Sequence, residues 1–418
     1  KRGAVVTAPA LAGFFHGVQT IRQLLPAVVE APAPVPSSGW RPMVWEIPGV
    51  RIADAPRFGW RGFMIDSCRH FLPVEVVKRV VDALALYKFN RLHWHLTEDQ
   101  GWRLEIKKYP RLASVAAWRG PTKYGGFYTR DEVRDVVAYA TARGVEVVPE
   151  IELPGHAQAA LAAYPALGCT GGPYKVGTEW GIYKDVYCAG NEKVFDFLEG
   201  VLTEVCALFP GRFIHLGADE CPKDRWKACP KCQARIRKEG LADEHALQSW
   251  FVHRAISFLE GKGKRCICWD EILEGGPPPG VIVQAWRAGE KAVSKAVAAG
   301  HEVIHSPYSH VYLNESPRGC TLEHVHTWDP TQEGERDALT PAALTRPELL
   351  LGGEACLWGE WCPPTRVGWQ AFPRLLAVAE TLWSPWRGRD FQDFHGRAMA
   401  QKGRLSYLGL TPGPERFV

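Results

Sequence analysis

Asp219 and Glu220 are adjacent acids at the end of the run His215-Leu216-Gly217-Ala218-Asp219-Glu220-Cys221-Pro222. Neighbours on a regular strand point to opposite faces, but at a strand end the chain turns and both side chains can enter one pocket. Two carboxyls so placed suit proton transfer and stabilisation of developing charge. A helix-capping pair and a metal-binding pair are competing uses of the same residues. Similar clusters recur along the chain: Asp66 to His70, Glu98-Asp99, Glu152 to His156, Trp269-Asp270-Glu271, Trp286-Arg287 and Trp358-Gly359-Glu360. A second kind of chemistry is suggested by Cys229-Pro230-Lys231-Cys232, eight residues after Cys221. A structural zinc site takes four ligands, and these are three thiols with only the distant His245 to complete a set. Plain loop packing is the other reading of that CxxC, and catalysis is not expected to depend on it.

Short apolar runs that alternate with amphipathic helical stretches must position these clusters. The strand candidates are Arg61–Ile65, Arg91–Leu96, Glu146–Ile151, Arg212–Leu216, Arg265–Trp269, Val281–Trp286, Glu302–His305 and Leu350–Leu357. Helical periodicity appears over Val74–Tyr87, Arg130–Arg143, Gln248–Gly261, Glu290–Ala299 and Phe372–Leu382. Eight βα repeats predict an α/β fold, a (β/α)8 TIM barrel lengthened by loop insertions. Its strand C-termini form the active face, so the scattered clusters are expected to converge on one pocket. Ahead of the barrel, residues 1–48 read as an arm or a partial small α/β domain, and 49–418 as the catalytic barrel. Val5–Ala8 is a strand candidate there and Gly13–Leu25 a helix candidate. Ala31 to Pro36, followed by Ser37-Ser38-Gly39, has linker composition.

Composition narrows the function classes. Fifty basic against 46 acidic residues leave a formal charge of +4, which does not favour nucleic acid as a partner. Hydrophobic residues make up 46% and charged residues 23%, enough apolar material for a large core and too much for disorder. No apolar run reaches the roughly 18 residues of a membrane-spanning helix. Twelve cysteines in 418 residues are too sparse for a disulfide scaffold and read mostly as buried or free thiols. Seventeen tryptophans suit a cleft that stacks on flat apolar faces, such as those of sugar rings. The chain opens at Lys1 without a signal-peptide pattern and so reads as a mature or trimmed product.

The acidic motif resembles the signature of the family 20 glycoside hydrolases, the β-N-acetylhexosaminidases. Other segments match that family in order and spacing: Arg61-Gly62, Asp66-Ser67-Cys68-Arg69-His70-Phe71, the run from Lys88 to Arg103, Pro149 to His156, Trp269-Asp270-Glu271 and Trp358-Gly359-Glu360. The likeness extends from about Trp60 to the C-terminus. The first 26 residues are similar only to the end of the small α/β domain that usually precedes this barrel.

The resemblance implies an exo-acting hydrolase of terminal β-linked GlcNAc, or GalNAc, that needs no cofactor. This family departs from the two-carboxylate rule of glycosidases: the 2-acetamido oxygen of the substrate attacks the anomeric carbon and forms an oxazolinium ion. Glu220 matches the acid/base, and Asp219 the anion that orients the acetamide N–H. Tyr312 is similar to the tyrosine that holds the acetamide oxygen. Arg69 and Glu360 match the clamp on the C3 and C4 hydroxyls, and Asn314 lies near that of C6. Trp269, Trp286 and Trp358 are implied as the pocket wall. His156 is implied to support Glu220, with an acid behind it that is usually aspartate and here is Glu98; Asp99 is the alternative. Ala218 stands where glycine is usual, which costs nothing if its φ is negative. The resemblance also favours a secreted, periplasmic or otherwise exported enzyme.

Four rivals compete. An inactive sugar-binding barrel should have lost Glu220 or Asp219, and both are present. A metal-dependent hydrolase needs ligands at a spacing such as HExxH, which does not occur. A related glycosidase acting on a disaccharide unit remains as the alternative, whereas the alternating aspartates of the other substrate-assisted barrel family are absent.

Overall fold

The computed structural model describes residues 3–33, 45–333, 337–338 and 345–414. Eight parallel strands close into a barrel in chain order: Trp60–Asp66, Arg91–His95, Glu146–Leu153, Phe213–Gly217, Arg265–Trp269, Ile282–Ala285, Glu302–His305 and Leu350–Leu357. Closure is made by the first and last strands, where Trp60 pairs with Gly352 and Ile65 with Leu357. All eight strand candidates are present, with ends shifted by a residue or two.

Alternating residues of each strand point into the barrel and fill it in layers. Trp60, Val148, Ile267, Ile282 and Ile304 make an apolar floor. Above it lies a polar layer in which Glu150 accepts from Trp269 Nε1 at 2.8 Å and lies 2.9 Å from His215 Nδ1, while His93 sits between Glu150 and Glu354. Gly62 belongs to this layer by necessity, because a Cβ there would lie 2.1 Å from Glu354 Oε2. The top layer is Met64, Trp269 and Cys356, with Trp286, Tyr312 and Trp358 against it.

The outer helices bury one stripe each. Val77, Val80, Val81 and Leu84 of Val74–Leu86 are buried at spacings of three and four residues, as are Val133, Val136, Val137 and Ala140 of Arg130–Thr141. A reciprocal Thr129/Glu132 capping box starts the latter. The helix expected from Gln248 begins at Glu244, because Asp243 caps it by accepting from the His245 and Ala246 amides. Several further helices, Glu192–Leu208, Pro230–Glu239 and Phe391–Ala400 the longest, lie outside the segments predicted helical. The first buries one broad face, with Val194, Leu198, Val201, Val205 and Leu208 at spacings of three and four, and exposes Glu192, Asp196, Glu199 and Thr203 on the other.

At the N-terminus, Leu11–Leu24 is helical, close to the expected span. Gln23 Nε2 donates to Leu86 O at 2.7 Å, and Arg404 reaches back to Glu30 and Leu25 O, tying the arm to the barrel's helical layer. Val5–Ala8 is not a strand. No strand among the described residues lies beside it to complete a ladder, and Val5 is almost fully exposed. The linker from Pro34 to Gly39 lies outside the described residues. No described helix is long and apolar enough to cross a membrane.

Candidate active site

The strand-end clusters meet at one mouth. At the end of the fourth strand Gly217, Ala218 and Glu220 all adopt positive φ, +65°, +75° and +42°. This sharp turn lets the two neighbouring acids face the same side. Gln248 Nε2 holds it by donating to Ala218 O at 2.8 Å. A Cβ on Gly217 would sit 1.7 Å from Glu152 Oε2. The expectation that Ala218 escapes strain through negative φ is therefore corrected: it occupies the left-handed region, at a cost of about 1–2 kcal/mol for a residue with a Cβ. The third strand contributes an irregularity, a register shift between Glu150 and Leu153 against the fourth strand, which re-aims Glu152 and the following turn.

Asp219 and Glu220 then part in environment. Asp219 has 11% of its side chain exposed and Glu220 36%. His156 Nε2 lies 3.6 Å from Asp219 Oδ2 and 3.7 Å from Glu220 Oε2, so it addresses both acids. Its other nitrogen, Nδ1, is bonded to Glu98 Oε1 at 2.8 Å, with Asp99 Oδ2 farther off at 3.4 Å. The longer glutamate thus makes the bond to His156, and its second oxygen reaches Arg69 NH2 and His95 Nε2, each at 3.2 Å. Against the cost of burial, Arg69 and His156 hold the Glu98 carboxyl well below the usual range. Burial alone would lower His156, but Glu98 and Asp219 raise it well above an ordinary imidazole. Burial, with Glu150 and Glu220 nearby, lifts Asp219 to about 7 despite His156.

Arg69 is placed by Asp66, whose Oδ1 accepts the Cys68 and Arg69 amides at 2.7 and 3.1 Å. Asp66 Oδ2 accepts the Gly359 amide at 2.9 Å and Arg69 NH1 at 3.1 Å, so one carboxylate joins the ends of the first and last strands. Glu360 Oε1 lies 4.0 Å from Arg69 NH2, and the guanidinium sits 5.1 Å from the Trp358 ring centroid. Tyr312 follows a short helix and rejoins the sheet by bridging to Cys356. Its ring stacks on Trp286 at 6.2 Å and 14° and meets Trp358 at 6.1 Å. Trp269 is only 1% exposed and touches Trp358 and His215, which makes it a backing for the wall. Asn314 lies two residues beyond Tyr312, and its main-chain oxygen accepts from Gln370 at 2.7 Å.

Residues 58–386 match the family model "Glycosyl hydrolase family 20, catalytic domain". The chain belongs to that family. It is 48% identical to a β-hexosaminidase of Porphyromonas gingivalis over all of its own length and 54% of the relative's, so it spans about half of that protein. A β-N-acetylhexosaminidase from Bacteroides fragilis superposes with TM-score 0.82 at 35% identity, covering 96% of this chain and 79% of that one. A Vibrio harveyi family 20 exo β-N-acetylglucosaminidase, solved with N-acetylglucosamine, gives TM-score 0.82 at 31% identity, covering 98% and 66%.

Two residues of this family 20 domain are not among the sequence-based candidates. Glu271 accepts from Trp286 Nε1 at 3.0 Å, and burial beside Asp219 raises it to about 8. Glu152 is buried, and neither of its oxygens has a hydrogen-bond partner among the described residues. Burial and the charges of Asp219 and Glu150 push it well above the usual range. Both stand in the strand-end clusters, but adjacency alone does not say which acid of a cluster turns inward. The zinc set of Cys221, Cys229 and Cys232 is also corrected. Cys221 packs at the mouth against Gly155, while Cys229 and Cys232 point away from it to join Cys169 and Cys188.

Glu98→Gln is expected to lower kcat/KM about 10- to 100-fold, because hydrogen bonds to charged partners are worth roughly 1.5–3 kcal/mol. The same variant has a pH signature. A carboxyl held below its unfolded value stabilises the fold above that value and loses its contribution as pH falls through the folded one. The Tm deficit of Glu98→Gln should thus be full near neutral pH and shrink in acid. A deficit independent of pH would show that the charge of Glu98 is not what matters.

Proposed function

We propose that this domain removes single β-linked N-acetylhexosamine units, GlcNAc or GalNAc, from the non-reducing ends of glycans or chito-oligosaccharides, with net retention. The observation that carries this reading is a set of buried polar atoms without hydrogen-bond partners among the described residues: Arg69 Nε, Asp219 Oδ1, Asn314 Oδ1 and Glu360 Oε2. Buried polar atoms are normally paired, and these four match hydroxyls and an amide N–H at the strand-end face. The complex of the Vibrio harveyi relative with N-acetylglucosamine supports the same sugar class.

In this reading Arg69 donates to, and Glu360 accepts from, the C3 and C4 hydroxyls, with Asn314 near that of C6. The acetamide lies between Asp219 and Tyr312, its methyl against the tryptophan wall. The acetamide oxygen attacks the anomeric carbon while the glycosidic C–O bond breaks, and Glu220 gives its proton to the leaving oxygen. Asp219 accepts from the N–H of the cyclic cation and offsets its charge. Glu220 then takes a proton from water, which opens the ring at the anomeric carbon and restores the acetamide. No step calls for a cofactor.

The test is a product analysis. The free monosaccharide is expected as the early product from chito-oligosaccharides and from aryl β-GlcNAc or β-GalNAc, whereas the aryl glucoside with a 2-hydroxyl should be inert. Internal oligomers as the main early product would overturn the exo reading, and rapid hydrolysis of the glucoside would overturn the role of the acetamide.

A further inference from the structure

Twenty residues of loop run from Cys169 to Cys188 between the third strand and the helix Glu192–Leu208. Gly168 and Tyr187 form an antiparallel bridge at its neck, which sets Cys169 and Cys188 side by side. Facing them is the Cys229-Pro230-Lys231-Cys232 turn, with Cys229 at the N-cap of Pro230–Glu239 and Cys232 in its first turn. The four Sγ atoms all lie within 4.8 Å of one another. Three of the distances are 3.8 Å (Cys169 to Cys232), 3.8 Å (Cys188 to Cys229) and 3.7 Å (Cys188 to Cys232).

Those separations discriminate between uses. A disulfide brings two sulfurs to about 2.05 Å, and none of these pairs is near it. Four thiolates around zinc, each at about 2.3 Å, stand at tetrahedral edges of about 3.8 Å. Cys188, Cys229 and Cys232 are buried and Cys169 is half-buried, so the group is nearly closed, as a structural site is and a catalytic one is not. The Gly190 amide points at the sulfurs of Cys188 and Cys232. A Cβ on Gly190 would lie 2.2 Å from the Lys231 backbone, so this position lets loop and knuckle close on each other.

We propose that Cys169, Cys188, Cys229 and Cys232 bind one zinc ion as a structural clip. The clip joins the knuckle that follows Glu220 to a loop lying across the other side of the mouth. Within that loop Gly177 N donates to Asp99 O at 2.8 Å, Lys175 O accepts from Gln158 at 2.9 Å and Glu179 O accepts from Gln100 at 2.9 Å. Fixing the loop therefore fixes the backbone beside Glu98 and His156. Binding replaces four thiol protons by one metal, so affinity falls with acidification.

Elemental analysis of the reduced, chelator-washed protein tests the assignment directly. About one equivalent of zinc per chain is expected, released by a mercurial thiol reagent along with four newly titratable thiols. Refolding with cobalt should give the visible bands of a tetrahedral thiolate site. Cys169→Ser, the least buried change, should lose most of the metal and lower Tm. If that variant fails to fold, the metal content and cobalt spectrum of the parent decide. Metal well below one equivalent after refolding with zinc, or mass-spectrometric disulfides among these four cysteines in protein purified with zinc, would overturn the proposal. Neither readout depends on the sugar chemistry.

Discussion

Glu220→Gln is expected to hydrolyse a natural N-acetylhexosamine disaccharide about two to four orders of magnitude more slowly than the parent, since general acid/base catalysis contributes that much. The substitution keeps the shape of the side chain and its place in the turn but removes the proton. Glu220 is the acid that opens to the cleft, with more than a third of its side chain exposed while Asp219 is nearly buried. Exchange with solvent water is what the second step of the proposed reaction requires. The loss should shrink for aryl glycosides whose leaving group departs as a stable anion, and the mutant should retain its affinity for product. Parent-level turnover of the disaccharide by Glu220→Gln would remove Glu220 from the role of acid.

Asp219→Asn should lower kcat by a comparable factor and change KM less. Removing one preorganised charge or donor from a developing ionic centre typically costs about 10²–10³ in kcat. If Asp219 only bound the sugar, the change would fall on KM. Asp219 is held up to about 7 in the free enzyme by burial and neighbouring carboxylates, and only its ionised form offers a charge to offset the cyclic cation. The parent's kcat/KM should accordingly rise with pH through the titration of this cluster, and the Asn variant should lose that limb. A thiazoline mimic of the cyclised intermediate should inhibit the parent strongly and the variant much less. Trapping a covalent sugar on either acid with a 2-fluoro glycoside would instead establish conventional double displacement.

Repetition is why the barrel was readable before any coordinates. Eight apolar runs separated by helical periodicity admit few alternatives, since parallel strands need crossovers and a closed sheet leaves no edge. The adjacent acids at a strand end imply a turn, but the sign of φ at Ala218 is a property of the folded loop. The helix Glu192–Leu208 lies outside the segments read as helical although Val194, Leu198, Val201, Val205 and Leu208 carry the three-and-four spacing of a buried face. Val5–Ala8 has strand composition, yet a ladder needs a partner that composition does not reveal.

Local features of the candidate site are legible in the sequence: Asp219 and Glu220 at a strand end, Arg69 after Asp66, and Glu360 after Trp358. How these residues meet is a property of the closed barrel. Glu98 could be judged too long for the relay from its side chain alone. Barrel closure sets it where one oxygen meets His156 and the other meets Arg69, and the extra methylene becomes reach. Cys229 and Cys232 announced a ligand pair, but their partners are Cys169 and Cys188, about forty to sixty residues away in sequence. Cys221, eight residues from Cys229, is not one of them. Distance along the chain carries little information about distance in space once loops close, because loop closure costs grow only with the logarithm of length.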